Sequence, residues 1–203
     1  MQAAFQQAAT PFRVLGLKMQ PYTLGHDWLL YTLDSGFCRE TNKPPTYDDL
    51  LISVWICAQK DHVAAIQRLA KPITRIWITL WSLYCGKFDV GEAFATFHEY
   101  IKAQTPDVEY WIESQGTKKP QSGTPFFQVL KVSMMRDMGM SEAEAWSTRY
   151  ADAHLNFLTL LENMGKIRLI SDHEKSVIAA ANDPEQQRKL QEWADKVVPK
   201  KAK

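Results

Sequence analysis

Residues Ile73–Tyr84 read ITRIWITLWSLY, and no other stretch constrains the fold of this chain as severely. Ile73, Ile76, Trp77, Ile78, Leu80, Trp81 and Leu83 point in nearly every direction around a helix, whereas an ordinary surface helix confines its apolar side chains to one stripe. A segment apolar all round has to be surrounded, so it is expected to be the central helix of the fold. Pro72 separates it from a preceding helix at about Asp61–Ala70. The longest apolar run, Ile76–Gly86, has 11 residues, too few for a bilayer, which needs about 20.

Other helices are marked by their start signals. Ser141 and Glu144 form a capping box, Asp89 with Glu92 is an analogous start, and Thr23, Thr46 and Asp61 are further caps. Thr124-Pro125 and Asp183-Pro184 each place a cap before a proline in the first turn. Apolar residues at steps of three and four run from Trp146 through Tyr150, Ala153, Phe157 and Leu160 or Leu161 to Met164, stopped by Gly165. Two shorter stripes are Val90, Phe94, Phe97, Ile101 and Phe127, Leu130, Met134, Met138. Extended segments are few. Phe12–Met19 and Lys166–Ile170 are each too brief for a sheet alone and are expected to pair with each other as a small ribbon.

The expected fold is therefore all-α (mostly α): one compact multi-helix domain of about seven to eight helices, with at most one short two-stranded ribbon. The 203 residues divide into a flexible N-terminus (1–10), a helical domain (11–198) and a basic tail (199–203). A mobile loop is expected at 114–123, within the Gly-, Pro- and Lys-rich run Ser114–Pro125. Lys plus Arg (24) nearly balance Asp plus Glu (23), which argues against nucleic acid as a partner. Cys38, Cys57 and Cys85 are odd in number and lack metal or redox spacing, so Cys57 and Cys85 read as small buried hydrophobes in a reducing compartment. Without a recognisable signal peptide, the expected location is the cytoplasm.

No catalytic or metal constellation is legible. His26, His62, His98, His154 and His173 lack the spacing of metal ligands, and no cofactor is expected. Asp172-His173-Glu174 fits a helix start better than acid/base chemistry. His26 beside Asp27, and His154 near Asp152, are the pairs from which an enzyme would have to be built. In the segment PFRVLGLKMQPYTLGHDWLL, Thr23 caps a helix on which His26 shares a face with Leu29, Leu30 and Leu33, so its ring should pack beside the core with one nitrogen hydrogen-bonded. Methionine-rich surfaces adapt to varied apolar partners. Met134, Met135, Met138, Trp146, Tyr150, Phe157, Leu161 and Met164 are accordingly the candidate partner-binding residues, with core packing as the competing role.

Three segments, LGLKMQPYTLGHDWLL, DDLLISVWICAQ and MGKIRLISDHE, resemble small proteins encoded in the tail-gene clusters of phages and prophages. These are similar to the tail assembly chaperones of long-tailed phages. The resemblance implies a non-enzymatic helical protein of the bacterial host cytoplasm. It would bind the tape measure protein, a long helical polypeptide, and help tail-tube subunits assemble around it. The resemblance supplies no catalytic residue. A structural virion component, such as a connector or tail-completion protein, is the alternative, and an enzyme with a dispersed site is a third.

Overall fold

Residues 12–38, 40–41, 43–105, 108–112, 123–171, 173–176, 183–184 and 188–189 are described in a computed structural model. Eight helices can be followed from end to end among them, α1 (Leu24–Thr32), α2 (Tyr47–Cys57), α3 (His62–Leu69), α4 (Pro72–Cys85), α5 (Val90–Gln104), α6 (Phe126–Met138), α7 (Glu142–Ser147) and α8 (Tyr150–Asn163), and residues 173–176 begin another. Four short strands accompany them: β1 (Arg13–Val14), β2 (Leu17–Lys18), β3 (Tyr110–Ile112) and β4 (Ile167–Leu169). The protein is mostly helical, as expected. The N-terminus (1–10), loop residues 114–122 and the basic tail (199–203) lie outside the described residues, as does Asp172.

Capping side chains set the helix starts. Thr46 exchanges hydrogen bonds with Asp49 at the head of α2, and Ser141 does so with Glu144 at the head of α7. Asp61 Oδ1 accepts from the Ala64 N–H at 2.8 Å, and Asp89 Oδ1 from the Glu92 N–H at 3.0 Å. At α6 the cap comes from elsewhere: Pro125, not Thr124, occupies the cap position, and Glu40 Oε1 accepts from the Phe126 N–H at 2.9 Å. The run from Trp146 to Met164 is two helices rather than one. Thr148 and Arg149 are extended, because the Leu24 N–H donates to the Thr148 carbonyl (3.1 Å) and the Tyr150 N–H to the Tyr22 carbonyl (2.9 Å).

The extended segments do not pair with each other. Phe12–Met19 folds back on itself, with β1 and β2 joined at Leu15 (φ 49°) and Gly16 (φ 79°). Two successive positive φ values are the backbone of a tight type I′ hairpin, whose twist matches that of its strands. β4 instead pairs antiparallel with β3, Tyr110 facing Leu169 and Ile112 facing Ile167. The result is two small ribbons, not one.

The centre of the molecule is α1. It packs against α2, α3, α6 and α7, and Leu24, Gly25, His26, Asp27, Leu29 and Leu30 are all buried. α2 is the second core helix, through Leu50, Leu51, Val54, Ile56 and Cys57. Helix α4, expected at the centre, lies at the surface with α3 as its main helical neighbour.

Candidate functional site

Helix α4 carries two apolar stripes, and only one of them is covered. Toward the body of the protein it turns Thr74, Ile78, Trp81 and Cys85, spaced four, three and four residues apart. Thr74 and Cys85 are buried; Ile78 and Trp81 are half-buried. Trp81 fixes the helix to the hairpin, donating its indole N–H to the Leu15 carbonyl at 3.2 Å, and its ring meets Trp55 of α2 at 6.2 Å. The outer face presents Ile73 (55% exposed), Ile76 (57%), Leu80 (52%) and Leu83 (73%), flanked by Trp77 (61%) and Tyr84 (51%). At 100° per residue these six side chains occupy an arc of about 120°. The requirement that so apolar a helix be surrounded fails because the fold covers only the inner stripe.

The size of the outer stripe sets it apart from scattered surface hydrophobics. Together the six residues, each half to three-quarters exposed, leave on the order of 700 Å² of surface, more than the roughly 300–600 Å² of the largest apolar patch on a typical monomer. Ile73, Ile76, Leu80 and Leu83 follow steps of three, four and three, the spacing by which one helix offers a seam to another. The helix has Pro72 in its first turn, no acidic residue there and no basic residue in its last turn, so its dipole is not offset by its own side chains.

The residues expected to form a methionine and aromatic surface are divided between core and solvent. Met134 (1% exposed) and Tyr150 (2%) are core residues and are removed from the candidate surface. Trp146 and Phe157 are partly buried against the core; Trp146 stacks near Trp28 (5.5 Å) and lies 4.8 Å beneath the Lys131 ammonium, and Phe157 meets Phe126 at 6.0 Å. Leu161 is half-buried. Met135, Met138 and Met164 are exposed, on α6 and at the end of α8, apart from the core-packed Met134, Trp146, Tyr150 and Phe157. The stripes through these residues are largely the faces by which α6, α7 and α8 pack.

His26 and the adjacent Asp27 take separate partners. Asp27 Oδ1 accepts from the Tyr22 hydroxyl at 2.6 Å, while His26 turns to Thr23. Thr23 accepts from the His26 N–H through Oγ1 (3.3 Å), and His26 Nδ1 accepts from the Thr23 N–H (3.2 Å). His26 therefore plays the part that Glu or Gln takes in an ordinary capping box. Burial, and secondarily the neighbouring His62, push the His26 pKa down to about 4 against the pull of Asp61, so the ring is neutral at neutral pH. Its ring packs beside Tyr22 and inside the core, as its register with Leu29 and Leu30 predicts. His154 meets Phe126 edge-on at 5.3 Å. Glu174 exchanges hydrogen bonds with Ser171 and pairs with Arg168, which makes Ser171 the cap.

Cys38, Cys57 and Cys85 are free and buried; burial pushes the Cys38 thiol up to about 12 and raises Cys57 and Cys85 as well, the opposite of an activated nucleophile. No group of three or more metal-ligating side chains occurs among the described residues. An open cavity of about 700 Å³ between α1 and α6 is lined by Trp28, Tyr31, Asp34, Glu40 and Phe127. Its two carboxylates are engaged elsewhere, Asp34 with Lys43 and Glu40 with the head of α6. Among the described residues no helix is long and apolar enough to cross a membrane. Among the described residues, the outer stripe of α4 carries more exposed large apolar side chains than any other helix. No protein-family model matches the chain, and no curated protein or solved structure matches it either.

Proposed function

We propose that this protein is a non-enzymatic factor of phage tail morphogenesis, an assembly chaperone that receives hydrophobic helical segments of the tape measure protein on the outer face of α4. The observation that carries the reading is the uncovered, heptad-spaced stripe Ile73, Ile76, Leu80, Leu83. A helix with matching anchors can seat its side chains between these four, with Trp77 and Tyr84 closing over one flank. The inner stripe, held by Trp81, keeps the platform in place while the outer one is exchanged between solvent and client. Burial of apolar area drives the contact without requiring a particular client sequence, which suits a chaperone acting along a long, repetitive helix. The tape measure as client rests on the resemblance of LGLKMQPYTLGHDWLL and its two companion segments to tail-cluster proteins.

Co-expression with the tape measure protein of the same gene cluster tests this. The client is expected to stay soluble and to co-purify with the wild-type chain, and to lose both properties with Leu80→Glu. Equal capture by wild type and variant, or no gain in solubility, would overturn the reading. Purified particles are expected to lack the protein; finding it there would favour a structural component of the virion.

A further inference from the structure

We infer that, before any client arrives, the outer stripe of α4 is covered by the same stripe of a second copy, the two helices running antiparallel about a twofold axis. This rests on the reading of α4 as a helix-docking surface and names the partner that occupies it in the isolated protein. Area is the first support. With the six residues half to three-quarters exposed on each protomer, a pair that covers about two-thirds of that surface buries about 1,000 Å² in total, the size a specific interface has to reach. Spacing is the second, because a stripe with heptad steps is complementary to itself in a twofold arrangement. Charge is the third: a net charge of +1 leaves little repulsion between copies.

The direction follows from the ends of α4. Lys71 stands at its N-terminal cap, with no acidic residue in the first turn and no basic residue in the last. Parallel pairing would align two dipoles and bring two Lys71 ammonium groups together. Antiparallel pairing opposes the dipoles and carries each Lys71 toward the carbonyl end of the other helix. An axis through the middle of the stripe, at residue 78, then sets Ile73 across from Leu83 of the other copy and Ile76 across from Leu80, so that the four stripe residues meet one another. A client helix has to displace this partner, which links client capture to dissociation of the pair.

Sedimentation velocity of the full chain from about 1 to 100 μM provides the test. Wild type is expected to move from 23.3 kDa toward twice that mass as concentration rises. Leu80→Glu is expected to shift the midpoint at least about 100-fold to higher concentration with an unchanged far-UV spectrum. Leu83→Lys, at the most exposed position of the stripe, serves the same purpose if Leu80→Glu fails to fold. A wild type that stays monomeric overturns the inference, whether a client or another segment of the chain covers α4. A dimer that persists undiminished in both variants overturns it too, since the contact then lies elsewhere. Ile73→Cys combined with Leu83→Cys should give an interchain disulfide on oxidation; rapid coupling of Ile73→Cys alone would contradict the antiparallel arrangement. Client co-purification is read separately, so a monomer that still holds client removes the dimer and leaves the proposed function standing.

Discussion

His26 shows how a residue with catalytic potential is used for folding. Its Nδ1 accepts the Thr23 N–H, which requires a neutral ring, and burial holds its pKa at about 4 against an ordinary value near 6.5. Between those values the unfolded chain binds a proton that the folded chain does not. Stability is then fully present above about pH 6.5 and falls as pH drops toward 4, by a total on the order of 3 kcal/mol from this residue. His26→Gln should retain the capping box, lose some ring packing, and flatten the difference in urea midpoint between pH 7 and pH 4.5. An unchanged pH slope in the variant would show that other groups carry it. Close by, a Cβ on Gly25 would stand 2.3 Å from His62 Nδ1. Gly25→Ala should destabilise by about 1–3 kcal/mol despite the better helix propensity of alanine, and a second change, His62→Ala, should recover part of that loss in urea unfolding. Thr23 as a cap and the inward register of His26 were legible because both are local. The Gly25–His62 contact was not, since nothing in either segment announces that α1 and α3 touch there.

Among the elements, α4 is the one that does not take the place its composition suggests. Apolar periodicity reveals how many faces of a helix are greasy, and it carries no information about how many of them the rest of the chain covers. α1 contains Gly, His and Asp and is nevertheless buried, with Tyr22 donating to Asp27 and Thr23 to His26 Nδ1. The cap positions of α2, α3, α5 and α7 were readable from Thr46, Asp61, Asp89 and Ser141. The break at Thr148–Arg149 and the cap of α6 by Glu40 were not, because both depend on partners distant in sequence. Two substitutions separate the faces of α4. Leu80→Glu is expected to change the free energy of unfolding by no more than about 0.5 kcal/mol at protein concentrations where the chain is monomeric. Trp81→Ala should destabilise by about 3 kcal/mol through lost packing and the lost hydrogen bond to Leu15. Equal destabilisation by both would mean that α4 is covered on both sides.

For the whole molecule, the described helices pack around one core and leave α4 with an uncovered apolar stripe. The sequence placed the greasiest segment correctly as a helix and erred about its surroundings; the candidate surface accordingly moved from the methionines of α6 and α8 to α4. A near-neutral chain with a large apolar seam is suited to meeting another helix. The central claim, that a client helix lies on the outer stripe of α4, is tested most directly by site-specific photocrosslinking in the presence of the tape measure protein. A benzophenone side chain is placed at Leu80 in one preparation and at Met138 or Met164 in others. The account predicts client crosslinks from position 80 and none from 138 or 164; crosslinks from the methionine positions with none from 80 would contradict it.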